Sequence, residues 1–308
     1  MITSAPSISL KESGIGNTPL IQLPADLIGG RRVFAKLEKH NPFGSIKDRA
    51  AWFMLAGAEA RGELKPEAGT VIEATSGNTG IALAGFAAAR NYRCIIVLPD
   101  SASAERLALL KFLGAEVVLT PASEGYVAAI SEAERLQAQT PGAWFACQHE
   151  NSDNVEAHFA TTGPELWSDT NGEVSHFVCG VGTGGTISGA GRYLKNRRPD
   201  IRITAVEPER SPVLSGGAGG THGIPGWNGG FVAPTTDVSV IDEVVVVSDE
   251  EAWAMTRDLA RQGIFVGISS GAAAVAARRL RIAIGDNDEA IVTIFPDSGE
   301  RYISLLTA

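Results

Sequence analysis

The chain has 308 residues, 44% of them hydrophobic, enough to bury one large core or two linked ones. Its 35 acidic and 26 basic side chains leave a formal net charge of −9, which excludes the basic face that sequence-independent nucleic-acid binding requires. No apolar run approaches the roughly 18 residues of a membrane span, and Met1–Leu10 lacks the basic and apolar regions of a secretory signal.

In chain order, short apolar runs predict strands at Arg32–Leu37, Thr70–Ala74, Arg93–Leu98, Glu116–Leu119, Ala143–Cys147, His176–Val181, Ile201–Val206, Glu243–Val247 and Ala290–Phe295. Amphipathic stretches between them predict helices at Asp48–Arg61, Thr79–Arg90, Ala104–Phe112, Glu124–Gln139, Val155–Trp167, Thr186–Asn196, Asp249–Arg261 and Ser270–Ile284. Strands alternating with helices of this length predict an α/β fold with mostly parallel sheets. The runs outnumber the strands of one ordinary sheet, so two α/β units are expected, with a boundary near residue 150. The Gly-rich stretch Pro208–Pro234 is too long for an idle connection and is a candidate active-site loop, with a plain surface insertion as the equal alternative. Cys94, Cys147 and Cys179 have neither metal nor disulfide spacing and read as buried thiols of a reducing cytoplasm, so a soluble intracellular protein is expected.

Lys47 stands in Asn41-Pro42-Phe43-Gly44-Ser45-Ile46-Lys47-Asp48-Arg49, ahead of the loop Thr75-Ser76-Gly77-Asn78-Thr79-Gly80. A lysine before such a loop suits an enzyme that holds an aldehyde cofactor as a Schiff base, and the pair points to pyridoxal phosphate. Alone, Lys47 could equally belong to a helix-start charge cluster with Lys39, Asp48 and Arg49. Ser76 or Asn78 could simply cap the following helix. A cap needs one polar residue, however, and four surround two glycines here, as binding of a carboxylate by N–H groups and hydroxyls would explain.

Gly180-Val181-Gly182-Thr183-Gly184-Gly185-Thr186 follows a predicted strand and opens a predicted helix, so its N–H groups would converge on a phosphate. Gly180, Gly182 and Gly185 also satisfy G-x-G-x-x-G, with Glu207 further on as the acidic residue of a dinucleotide fingerprint. A NAD-binding dehydrogenase is therefore a competing reading, although it leaves Lys47 and the Asn78 loop without a purpose. Gly267-Ile268-Ser269-Ser270-Gly271 matches the G-x-S-x-G elbow of hydrolases, but every histidine (His40, His149, His158, His176, His222) precedes the serine, against the chain order that elbow requires. Ser269 could donate to a ring nitrogen or merely cap the helix behind it. The histidines show no metal-ligand spacing. Glu38, Glu73, Asp100 and Glu105 read as solvated or structural.

Assembled, these motifs resemble the cysteine synthase (O-acetylserine sulfhydrylase) family of fold type II pyridoxal phosphate enzymes. The resemblance runs from Gly16-Asn17-Thr18-Pro19-Leu20 through the three loops above, Thr161-Thr162-Gly163-Pro164-Glu165 and Gly267–Ala272, to Gly299-Glu300-Arg301-Tyr302. It implies that Lys47 is the Schiff-base lysine and catalytic base, that Asn78 meets the cofactor's 3′-oxygen, and that Ser269 meets its pyridine nitrogen. Gly182, Thr183, Gly184, Gly185 and Thr186 would form the phosphate cup, and Thr75, Ser76, Gly77, Thr79 and Gln148 the grip on the substrate carboxylate. The resemblance further implies two α/β domains with the active site between them: a smaller mobile one over residues 41–150, and a larger one from residues 1–40 plus 151–308. A homodimer and docking of the C-terminal tail of serine acetyltransferase are implied partners.

The expected reaction is β-replacement on an activated L-serine, O-acetyl-L-serine plus sulfide giving L-cysteine and acetate. The chain departs from the family pattern at Ala102, at His149 in place of a phenylalanine, and along His222–Phe231, where Pro225 and Trp227 are unusual. These departures leave the donor and nucleophile open. Cystathionine β-synthase-like, S-sulfocysteine and 2,3-diaminopropionate chemistry stay as alternatives, as does a non-catalytic regulatory homologue.

Overall fold

The structure is a computed structural model that describes residues 14–66 and 68–306. Met1–Leu10, considered above for a signal segment, lies outside them. Among the described residues ten strands form two sheets: β1 Leu20–Gln22, β2 Val33–Leu37, β3 Thr70–Ala74, β4 Arg93–Pro99, β5 Glu116–Thr120, β6 Ala143–Phe145, β7 Val174–Gly180, β8 Arg202–Pro208, β9 Glu243–Val247 and β10 Ala290–Phe295. The larger sheet has the order β1-β2-β10-β7-β8-β9 and the smaller β5-β4-β3-β6. Every pairing is parallel except β1 with β2. Helices α1 Ala25–Ile28, α2 Lys47–Arg61, α3 Asn78–Ala89, α4 Ala104–Phe112, α5 Gly125–Gln139, α6 Ser152–Ala157, α7 Gly163–Asp169, α8 Gly185–Arg197, α9 Asp249–Arg261, α10 Ile268–Ile284 and α11 Ile303–Leu306 complete the fold. Among the described residues no helix is long and apolar enough to cross a membrane.

Composition explains the layering. β3 (TVIEA) and β10 (AIVTIF) are buried along their whole length, as parallel strands covered on both faces must be. α3 is apolar all round and buried from Thr79 to Ala87, so it lies inside the smaller unit rather than on it. One core cluster joins α2, α3 and the near face of the smaller sheet; another lies under α5. The strands of the smaller sheet all fall between residues 70 and 145, and those of the larger sheet flank them in sequence.

Several elements differ from expectation. β1 and α1 went unread because three and four residues are too few to show a period. The helix expected over Val155–Trp167 is α6 and α7 joined by a π-helical turn, His158–Thr162. That turn shifts the facing of the residues after it, a distortion that often marks a functional site. The strand expected to reach Cys147 stops at Phe145, because Cys147 takes a left-handed turn with φ 45°. Cys147 is consequently half-buried rather than buried, while Cys94 and Cys179 are buried.

A buried ion cluster ties the start of α2 to the larger sheet. The Arg49 guanidinium forks onto Glu38 at 2.7 and 2.8 Å and onto Glu165 at 2.7 Å twice. Lys36 Nζ adds contacts of 2.9 Å to Glu165 and 2.8 Å to Asp169. Arg49 is therefore an internal strut rather than part of a solvated helix-start cluster.

Candidate active site

Lys47 is the first residue of α2 and its approach is fixed from several sides. Asn41 Oδ1 accepts from the Gly16 N–H at 2.9 Å, and the Ile46 N–H donates to the Pro296 carbonyl at 2.9 Å. Phe43 sits edge-on to Phe86, ring centroids 4.8 Å apart, and fills the space that a side chain at Gly85 would occupy. The lysine loop is thus seated on α3, whose own N-terminus is the Asn78 loop. Burial lowers the Lys47 ammonium pKa, opposed by the Cys179 and Glu73 groups nearby. A depressed lysine can be a free amine, as a nucleophile or base must be.

The loop before α3 does not use its polar side chains as caps. Gly77 occupies the cap position and no side chain bonds there. Thr79 Oγ1 instead donates to Gln148 Oε1 at 2.6 Å, and Asn78 Nδ2 donates to Asp297 Oδ2 at 2.7 Å. Thr75, Ser76, Gly77, Asn78, Thr79 and Gln148 line one cleft together with Lys47.

The second loop joins β7 to α8, with Gly184 at φ 82° as the turn into the helix. Packing demands its glycines: a Cβ on Gly180 would overlap the Trp227 indole, on Gly182 the Gly226 carbonyl, and on Gly184 Thr236. Gly182, Thr183, Gly184 and Thr186 line a cavity at the helix start, where unpaired N–H groups and the helix dipole favour an anion. Gly185, expected with them, is the first residue of α8, and a Cβ there would run into the Asn154 side chain. Behind Thr186, His158 is buried between two hydroxyls, Nε2 3.1 Å from Thr186 Oγ1 and Nδ1 2.8 Å from Thr162 Oγ1. Burial, with the Lys47 and Arg49 charges, holds His158 well below the usual imidazole range and therefore neutral.

Ser269 lines the same cavity as Lys47 and Asn78. It is no helix cap, since Gly267 holds that position and no side-chain cap bond is made there. The stretch Pro208–Pro234 supplies Pro225, Gly226 and Trp227 to the cavity wall and is held in place, the Asn228 N–H donating to the Val181 carbonyl at 3.1 Å. Glu207, the acidic residue of the dinucleotide reading, is buried and accepts from the Leu214 and Ser215 N–H groups at 2.7 and 2.9 Å. It staples that loop and is not free to hold a ribose.

Sequence reasoning passed over four residues here. Asp297 receives both the Asn78 amide and, at 2.5 Å, the Tyr302 hydroxyl. Asn154 Nδ2 donates to the Gln148 carbonyl at 2.8 Å and to Thr183 Oγ1 at 3.0 Å, joining the turn after β6 to the glycine loop. His158 backs Thr186. Glu73, read as solvated or structural, is buried at the end of β3, where burial pushes its carboxyl up to about 8 against hydrogen bonds from Gln148 and Cys147 and the Lys47 charge. The one available signal was that polar residues interrupt otherwise apolar segments.

The donor set fits pyridoxal phosphate. One cavity offers an amine for an aldehyde, a serine hydroxyl for a ring nitrogen, an amide for a phenolic oxygen and a glycine-lined helix start for a phosphate. Comparison with known proteins agrees. A family model described as pyridoxal-phosphate dependent enzyme matches residues 11–297. A probable cysteine synthase of Bacillus subtilis is 46% identical over 295 residues, 94% of each chain. The crystal structure of cysteine synthase from Entamoeba histolytica superposes with a TM-score of 0.91 at 38% identity, covering 99% of this chain and 92% of that one. An O-acetylserine dependent cystathionine β-synthase from Helicobacter pylori gives 0.88 at 39% identity, with 94% and 95% covered. The chain belongs to the pyridoxal-phosphate dependent enzymes.

Proposed function

We propose that the protein catalyses β-replacement on O-acetyl-L-serine, exchanging the acetate for sulfide to give L-cysteine. The observation that carries this reading is the meeting of two loops at one lysine: the phosphate-type cup and the Thr75–Thr79 loop open onto adjoining cavities that share Lys47, Asn78, Gly182 and Thr183. Pyridoxal phosphate, when bound, supplies the electron sink that lets one substituent leave the substrate Cβ and another take its place. Gly182, Thr183, Gly184, Gly185 and Thr186 would hold its phosphate, Asn78 its 3′-oxygen and Ser269 its ring nitrogen. A neutral serine, unlike a carboxylate, leaves that nitrogen unprotonated and tempers the sink, which favours loss of a β-substituent.

Lys47, at the head of α2, would hold the cofactor through its Nζ, and the same amine would take up the substrate Cα proton. Thr75, Ser76, Gly77 and Thr79 bind the substrate carboxylate, with Gln148 oriented by the Thr79 hydroxyl. Trp227 takes up room beside Lys47 in both cavities, which favours a nucleophile as small as sulfide. Residues 41–150 form a unit that closes over the substrate and excludes water. The protein acts in the cytoplasm as a homodimer. Its cleft accepts the C-terminal tail of serine acetyltransferase.

The test is the visible spectrum of the holoenzyme before and after O-acetyl-L-serine, and again after sulfide. A change on adding the donor that reverts with sulfide, releasing acetate and cysteine, is expected. An unchanged spectrum refutes the donor. A change that homocysteine or an amine reverts and sulfide does not refutes the nucleophile. Lys47→Ala should abolish the reaction and the covalent hold on the cofactor while the fold persists by circular dichroism.

A further inference from the structure

His149 is the middle residue of the turn after β6 and stands where the cleft meets a second cavity. Its ring lines the cleft with Lys47, Gln148 and Trp227, and lines the second cavity with Cys147, Glu73 and Phe231. Tyr126 meets it edge-on, centroids 5.5 Å apart with 69° between planes, and Phe231 leans on it at 5.4 Å. Tyr126 is itself anchored, its hydroxyl donating to the Ala74 carbonyl at 2.5 Å. The His149 backbone is held by Thr235, whose N–H and hydroxyl both donate to its carbonyl at 3.2 Å.

Aromatic contacts and backbone bonds thus fix this ring, and its polar atoms take no part in holding it. Nδ1 is shut away from solvent with no hydrogen-bond partner. An unpaired ring nitrogen is unfavourable in a folded protein, and a neutral imidazole offers one donor and one acceptor. A half-turn about the Cβ–Cγ bond exchanges Nδ1 with a ring carbon, keeps the ring in its aromatic slot and turns the nitrogen to the other edge. Burial, and after it the Lys47 charge, brings the imidazole pKa down to about 4, so the ring is uncharged at neutral pH.

The Thr75–Thr79 loop claims the carboxylate of the first substrate, which leaves the wall of His149, Tyr126 and Trp227 for the second. Resting on the β-replacement reading, we infer that His149 is the polar contact of the second substrate, hydrogen-bonding the sulfur of hydrosulfide or a small thiol as it enters between Tyr126 and Trp227. The aromatic frame limits the size of the nucleophile. The imidazole supplies the directional bond that an all-carbon ring cannot.

The experiment splits the two half-reactions in the holoenzyme of the parent, His149→Phe and His149→Gln. Stopped-flow spectra follow the reaction with O-acetyl-L-serine, and steady-state rates give kcat/KM for sulfide. His149→Phe is expected to lower kcat/KM for sulfide about tenfold, the worth of one hydrogen bond, with a much smaller change in the O-acetylserine step. His149→Gln, which restores a donor and an acceptor, should recover part of the loss. A parent-like sulfide step in His149→Phe, or equal losses in both steps for both variants, overturns the inference. A parent enzyme that ignores O-acetyl-L-serine overturns the donor reading instead, and the same variants are then scored on kcat/KM for the thiol with whichever activated serine the enzyme accepts.

Discussion

Replacing Arg49 by methionine keeps most of the side-chain length and removes the charge that Glu38 and Glu165 share. Arg49 and Glu38 have fully buried side chains and Glu165 is only 15% exposed, so water cannot take over the role of the guanidinium. Breaking such a buried pair from one side costs about 3–5 kcal/mol, whereas an exposed pair is worth only about 0–1 kcal/mol. Burial decides which figure applies, and against a total stability of roughly 5–15 kcal/mol the loss is large. Burial alone would raise the Glu38 carboxyl, but Arg49, Thr18 and Lys36 more than reverse that and hold it below its ordinary 4.5. A folded pKa below the unfolded one gives stability that is present above pH 4.5 and is lost as pH falls through the folded value. The penalty of Arg49→Met should therefore be greatest at neutral pH and shrink in acid, where Glu38 can protonate. Urea denaturation followed by circular dichroism, at neutral and mildly acidic pH, gives the difference directly. Glu38→Gln combined with Arg49→Met should regain part of the loss. A single-variant loss under about 1 kcal/mol at neutral pH, or a double variant no better than the single, would refute the strut.

Gly184→Ala forces a side chain into the left-handed region and into Thr236, so cofactor affinity should fall at least roughly tenfold, the equivalent of about 1–2 kcal/mol of backbone strain. Titration of the apoenzyme with pyridoxal phosphate, read by fluorescence, checks it, and an unchanged dissociation constant would show that the cup tolerates the change. Glu73 has a folded pKa raised from 4.5 to about 8, so the parent should lose stability steadily as pH rises between those values. Glu73→Gln, which imitates the protonated acid, should flatten that part of the profile of melting temperature against pH, and an unaltered slope would mean that Glu73 is ionised in the fold.

The sheets were legible because buried parallel strands such as Thr70–Ala74 and Ala290–Phe295 are short, mainly apolar runs, and turns such as Gly180–Thr186 are marked by glycine. The site was legible where each part is a contiguous motif: Lys47, Asn78 and Thr183, from three separate loops, line shared cavities. What stayed hidden depends on tertiary contact. Asp297 matters because the Asn78 amide reaches it from a distant part of the chain. His158 reaches Thr186 only because a π-helical turn sets its direction, and one extra residue in a turn leaves no periodic trace. Gly185 leaves room for Asn154, a close approach that the glycine motif marks without naming the neighbour. Glu207 satisfied the spacing of a ribose ligand and serves as a loop staple, since a motif records spacing and not contacts.

The pairing of β2 with β10 has a consequence for how the chain is made. Val33–Leu37 finds its parallel neighbour in Ile291–Phe295, so the ribosome releases the first strand long before its partner exists. Meanwhile β3 to β6, complete by Phe145, have all their pairing partners within their own sheet. Synthesis therefore favours a nascent chain whose inner unit is already folded while β2, with only β1 beside it, waits for the neighbour on its other edge, and non-local pairing of this kind closes slowly. In that interval β2 is exposed to aggregation and to chaperones. Placing a premature stop before residue 290 should yield a protein that keeps its smaller sheet and precipitates through the larger one.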